Sequence, residues 1–150
     1  MKDLSFTEIV QVAIRKEEES EKFYQKAARM AYRSGIREMF LELAGEEAGH
    51  RKLLLGLGSG SAPEGHPEDV PDLRISEYLV EPPLTETMHY DEILRMAMKR
   101  EEKAVHLYEH LLAKVQDEEG RKLVTYLLEQ EHRHKFRLEG EYDENVLEEN

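Results

Sequence analysis

The chain has 150 residues, no cysteine and a formal net charge of −12. That length suits a single domain, 1–150, with room for a core, and the missing thiols exclude disulfides, thiolate metal sites, iron–sulfur clusters and a thiol nucleophile. The acidity repels nucleic-acid phosphates and anionic membranes, and no leader core or apolar run near ~18 residues occurs, so a cytoplasmic protein without nucleic-acid or membrane partners is expected.

Helix signals dominate the chain. Ser5-Phe6-Thr7-Glu8 has the form of a capping box opening a helix over Phe6–Tyr32, with Ser34-Gly35 as the break. A second helix is predicted from Ile36 to Leu55, stopping at Gly56. The following GLGSGSAPEGHPEDVPDL is rich in Gly, Pro and Ser and reads as an exposed crossover. Ile75–Leu79 is expected to add a short helical turn, and Pro82-Pro83 closes the connection. The third helix is predicted over His89–Val115. Asp117 is placed to cap a fourth, over Glu118–Glu139, and a short helix is expected in the last residues. Two short hairpin loops and one long connection suit an all-α four-helix bundle with a single crossover between helices 2 and 3.

An internal repeat organises these helices. A shift of 84 residues overlays Ala13 on Ala97, Glu17 on Glu101 and Tyr24 on Tyr108. The same shift overlays Leu43 on Leu127, Glu47 on Glu131 and His50 on His134. The natural reading is a duplicated helical hairpin packed against its copy about a pseudo-twofold axis.

Each helix has a stripe that should face the core. The stripes are Val10, Ala13, Glu17, Ser20, Tyr24, Ala27, Ala31; Phe40, Leu43, Glu47, His50, Leu54, Leu57; Leu94, Ala97, Glu101, Ala104, Tyr108, Leu111; and Val124, Leu127, Glu131, His134, Leu138. Each is apolar or small except for one Glu near its middle, followed in helices 2 and 4 by a His three residues on. A buried carboxylate costs several kcal/mol or neutralises, and four in one layer repel each other. No core Lys or Arg is expected at that level to offset them. Two divalent cations match four carboxylate charges, and two neutral imidazoles complete the donor set. Residues three apart share a helix face, so each Glu-x-x-His pair reaches one metal. Carboxylates with one imidazole per metal suit Fe, Mn or Zn better than copper.

Glu-x-x-His alone is a weak signal. Glu47/His50, Glu86/His89, Glu129/His132 and Glu131/His134 all have this spacing. Glu86/His89 falls at the entry to helix 3, and Glu129 lies about 160–200° from the core stripe at 100° per residue. Glu47/His50 and Glu131/His134 alone are in phase with the core and duplicated.

The segments AIRKEEESEKFY, LELAGEEAGH, AMKREEKAVHLY and LLEQEHRH, with YLVEPP and LEGEYDENVLEEN, resemble the rubrerythrin-like branch of the ferritin-like superfamily. The resemblance implies a ferritin-like bundle with a di-iron carboxylate site, in which two helices each give a Glu and two others each give a Glu-x-x-His pair. Carried onto this chain, Glu17 and Glu101 are single-helix ligands, Glu47 and Glu131 bridge the metals, and His50 and His134 are terminal imidazoles. It further implies reaction of Fe(II) with hydrogen peroxide or oxygen as a peroxidase or ferroxidase, and a homodimer. Two departures stand out. Ala104 occupies the position of an additional Glu common in rubrerythrins, and no cysteine is available for an electron-delivering rubredoxin domain, so a separate electron-donor protein is required. The remaining symmetric ligand set resembles a bacterioferritin ferroxidase centre, although a fifth helix and a 24-subunit cage are not expected.

Tyr24 and Tyr108 lie seven residues after Glu17 and Glu101 on the same faces. Each phenol is expected either to bond a ligand carboxylate of the opposite half or to be a core aromatic. Ser20 and Ala104 leave space beside the metals or permit close helix packing. His66, His106 and His110 are expected at the surface, His132 off the core, and Glu18, Glu19, Glu46 and Glu102 as solvated charges. The alternative to an enzyme is a non-catalytic metal-binding or iron-storage protein, or a bundle holding structural zinc.

Overall fold

In the computed structural model the described residues are 6–31, 33–57 and 83–144. They form four helices: α1 (Phe6–Met30), α2 (Ser34–Leu57), α3 (Tyr90–Lys114) and α4 (Glu118–Tyr142). The helix count and order match the sequence reading, but some boundaries differ. The break after α1 falls at 31–33, and Ser34 and Gly35 belong to the first turn of α2. The Arg33 carbonyl accepts from the Arg37 N–H at 3.0 Å, so the helical hydrogen bonding starts one residue before the Ser-Gly pair. At the other end, α4 continues past Glu139 because its last turn is tied to α3. There the Tyr90 hydroxyl donates to Glu141 Oε1 at 2.7 Å, and Arg95 donates to the Tyr142 hydroxyl at 3.2 Å. Ser5, the 75–79 turn and the end of the chain lie outside the described residues.

Asp117 caps α4 as expected, its carboxylate accepting from the Gly120 backbone N–H at 2.9 Å. Gly120 is required there. A Cβ at this position would lie 2.5 Å from Val115 Cγ2 and 3.1 Å from the capping oxygen, Asp117 Oδ2.

The core divides into two apolar clusters. One joins Ile9–Ile14 side chains of α1 to Leu54, Leu107, Leu111, Val115, Leu123, Val124 and Leu127. The other joins Phe23, Tyr24 and Ala27 to Phe40, Leu43, Leu94, Ala97 and Leu138. The first cluster therefore holds the start of α1, the end of α2, the end of α3 and the start of α4. It follows that α1 and α4 run one way and α2 and α3 the other. The connection from α2 to α3 must then join opposite ends of the bundle, which is why it is long. Backbones approach closely along each hairpin and far less between α1 and α3.

The stripe residues from Val10 to Ala31, Phe40 to Leu54, Leu94 to Leu111 and Val124 to Leu138 are buried. Each fully buried Leu or Phe stabilises the fold by about 1.5–3 kcal/mol. That apolar burial offsets what lies between the clusters, a layer of charged side chains at mid-bundle.

Candidate metal centre

Glu17 projects from α1, Glu47 and His50 from α2, Glu101 from α3, and Glu131 and His134 from α4. The four carboxylates are 0–1% exposed, and the imidazoles 6% and 3%. Their donor atoms form two overlapping sets, each within 4.8 Å: Glu17, Glu47, His50, Glu131 and Glu47, Glu101, Glu131, His134. Glu47 and Glu131 are common to both. Both imidazoles face inward through Nδ1. His50 Nδ1 lies 3.5 Å from Glu17 Oε2 and 3.7 Å from Glu47 Oε1. His134 Nδ1 lies 3.1 Å from Glu47 Oε1 and 3.8 Å from both Glu101 Oε1 and Glu131 Oε2. The rings stack with centroids 6.0 Å apart.

One member of this layer departs from the sequence expectation. Lys16 is a core cation at the carboxylate level, 6% exposed, with Nζ 3.2 Å from Glu47 Oε2 and 3.2 Å from Glu131 Oε2. Its Cα is one residue, about 100°, off the core stripe, but its long stem carries the ammonium inward. Burial alone would lower its pKa; the charges of Glu131, Glu47, Glu17 and Glu101 outweigh that and raise it well above the usual lysine value.

The carboxyls respond unequally. Burial, reinforced by the charges of Glu47 and Glu131, raises Glu17 well above the ordinary range. Burial and Glu131 do the same to Glu101. Burial also pushes Glu131 upward, but Lys16, Glu101 and His134 prevail and hold it well below. Burial lowers His50, whereas the same effect on His134 is overcome by Glu101, Glu131 and Glu47, which raise it. Metal-free, the layer thus favours the protonated forms of Glu17 and Glu101 and the charged forms of Lys16 and His134.

Both tyrosines cross between the halves. The Tyr108 hydroxyl donates to Glu17 Oε1 at 2.7 Å, and the Tyr24 hydroxyl donates to Glu101 Oε1. Each orients a carboxylate of the other hairpin and leaves the second oxygen free. Glu46 corrects another expectation. Although 50% exposed, it is not merely a solvated charge, because its Oε2 accepts from His134 Nε2 at 2.5 Å. This bond fixes the ring with Nδ1 toward the carboxylates.

The layer's buried donors are left short of partners. Glu17 Oε2, Glu47 Oε1, His50 Nδ1, Glu101 Oε2, both Glu131 oxygens and His134 Nδ1 make no hydrogen bond. Buried polar atoms ordinarily find one. Seven convergent oxygen and imidazole nitrogen atoms without hydrogen bonds, only Glu131 Oε2 of them within ion-pair reach of Lys16, are what divalent cations would satisfy. The residues fit a two-metal carboxylate site.

The family model described as Rubrerythrin matches residues 8–142. The chain belongs to the rubrerythrin family. Among solved structures, this rubrerythrin-family chain is similar to a hypothetical protein from Pyrococcus furiosus, at 27% identity and TM-score 0.69, over 93% of this chain and 89% of that one. It is also similar to a Thermotoga maritima protein described as ferritin-like and diiron-carboxylate, at 27% identity and TM-score 0.69, covering 97% and 98%. A dodecameric thioferritin, the bacterioferritin-related protein of Bacteroides fragilis, shares the fold at 19% identity and TM-score 0.71, covering 96% and 87%. None of the curated proteins compared matches the chain. The architecture of this rubrerythrin-family member is ferritin-like.

The remaining sequence candidates are placed as follows. Ser20 and Ala104 are buried at the layer's edge, 2% exposed each. His106, His132 and Glu102 are exposed, and His110 and Glu19 are partly buried. His66 lies outside the described residues. Among the described residues, no helix is long and apolar enough to cross a membrane.

Proposed function

We propose that this rubrerythrin-family chain holds two iron ions in its mid-bundle layer and uses Fe(II) to reduce hydrogen peroxide or oxygen. The observation that supports this is the pair of donor sets joined by Glu47 and Glu131, with Glu17 and His50 at one end and Glu101 and His134 at the other. When bound, two ferrous ions supply the two electrons that peroxide, with two protons, needs to become two waters. Oxygen-rich donors with one imidazole per metal suit iron, manganese or zinc; the proposed redox role selects iron. The T. maritima relative, described as diiron-carboxylate, accords with this choice.

The chain's own residues have distinct tasks in this reading. Glu47 and Glu131 tie the two metal positions together. Tyr108 and Tyr24 hold Glu17 and Glu101 in place, and Glu46 fixes the His134 ring. The apolar clusters above and below exclude bulk water, which strengthens every charge interaction in the layer. With no cysteine to carry a rubredoxin centre, the reading includes a separate electron-donor protein, and a homodimer as the working unit.

Anaerobic loading with Fe(II), followed by rapid mixing with peroxide or oxygen, tests this. Oxidation of the bound iron well ahead of free Fe(II) is expected, with renewed turnover on re-reduction. If neither oxidant acts faster on the loaded protein than on free Fe(II), the redox role fails. Stoichiometric uptake alone would then assign a metal-binding or storage role.

A further inference from the structure

We propose that the Lys16 ammonium is a displaceable internal counter-ion, seated on the two shared carboxylates and driven off them when the layer takes up metal. This rests on the metal centre proposed above. Nζ lies 3.2 Å from Glu47 Oε2 and 3.2 Å from Glu131 Oε2. These are the carboxylates common to both donor sets, so a cation entering either set competes with Lys16 for the same groups.

Charge balance sets the direction. Two divalent cations neutralise four carboxylates, and a fifth positive charge a few ångströms away would be repelled in a low-dielectric interior. Without metal the position reverses. Four carboxyl groups then face one another, and the ammonium pairs with the two shared ones, Glu47 and Glu131. Lysine suits both states, being a point charge on a flexible four-carbon stem. The Lys16 Cα lies about 100° off the core stripe, so a change of rotamer along the stem would carry the ammonium away from the shared carboxylates.

The repeat provides an internal comparison. Arg100 occupies the copy position on α3, yet its guanidinium lies 4.6 Å over the Phe23 ring. One hairpin sends its cation to the shared carboxylates, while the other parks its cation on an aromatic face. The counter-ion is thus specific to Lys16 and is not a general result of basic residues beside the ligands.

Chelator-competition titration of the full chain with Co(II) alone tests this, comparing wild type with Lys16→Met and Lys22→Met. Lys22 is an exposed lysine on the same helix, paired with Glu18 at 3.2 Å. Lys16→Met is expected to bind Co(II) at least ~10-fold more tightly than wild type, and Lys22→Met to stay within about twofold. Equal or weaker binding by Lys16→Met overturns the displacement. An equal gain in Lys22→Met overturns it too, by assigning the effect to net charge. Should Lys16→Met not fold without metal, Lys16→Gln enters the same comparison with the same expectation. Failure of wild type and variant alike to bind Co(II) sinks the metal centre itself, whereas equally tight binding by both sinks only the role of Lys16.

Discussion

Glu17→Gln should improve the metal-free protein and damage the metal-loaded one. Glu17 is fully buried, and burial with the charges of Glu47 and Glu131 raises its pKa well above the ordinary 4.5. In the metal-free fold it therefore holds its proton to a higher pH than the unfolded chain does. Holding that proton at pH 7 costs at most 1.36 × (7 − 4.5), or about 3 kcal/mol. Glutamine mimics the protonated acid without this cost. Its amide oxygen still accepts from Tyr108, which now donates to Glu17 Oε1 at 2.7 Å. A gain of about 1–3 kcal/mol at pH 7 is expected, or roughly 3–10 °C in melting temperature at this chain length. The same change removes a charged donor from the set Glu17, Glu47, His50, Glu131 and leaves Glu47, Glu101, Glu131, His134 intact. Metal content should fall from two ions per chain toward one. Thermal denaturation followed by circular dichroism, and metal analysis of the reloaded protein, read the two effects. A lower metal-free melting temperature, or retention of two tightly bound ions, would refute the reasoning.

Protonation makes the metal-free fold acid-tolerant. Glu17 and Glu101 have raised pKa values and lose stabilisation as pH climbs above about 4.5. The raised His134 contributes fully below about 6.5 and loses stabilisation above it. The depressed Glu131 acts oppositely only at more acid pH, and the lowered His50 opposes the trend below about 6.5 as one group against two carboxyls. Metal-free melting temperature should therefore fall from pH 5 to 8, each group contributing up to about 1.4 kcal/mol per pH unit; a rising profile would contradict this. Metal uptake must expel the same protons, so apparent affinity should increase over that range in buffered titrations. Tyr108→Phe strands Glu17 Oε1 without its donor and should cost about 1–3 kcal/mol in chemical denaturation. Glu46→Gln weakens the grip on His134 and should lower metal affinity about tenfold or more, chiefly at the position His134 serves, which site-resolved titration can separate from the His50 position.

Much of the centre was legible because the ligands sit in phase with the apolar stripes. Glu17, Glu47, Glu101 and Glu131 each interrupt a core stripe, and the 84-residue offset links them into two matched pairs. Helical phase reports where a Cβ points, and for short or stiff side chains that suffices. It fails for Lys16, whose stem bends about a third of a turn to bring its charge inside. The only sequence signal was the need for cations among converging carboxylates, and that need was assigned entirely to metals. Glu46 escaped for a related reason: it is a surface residue by phase, and its role depends on where a ring from α4 ends. The break after α1 shows a third limit, since Ser-Gly marks either a stop or a start, and the contacts around it decide which.

Neither hairpin owns a complete donor set. One set draws Glu17, Glu47 and His50 from the first and Glu131 from the second; the other draws Glu101, Glu131 and His134 from the second and Glu47 from the first. An ion bound in either set would therefore act as a rivet across the seam between the hairpins. Stripping the metal would loosen that seam before it loosens either hairpin, so amide exchange in the metal-free protein should quicken most along the faces where the two hairpins meet.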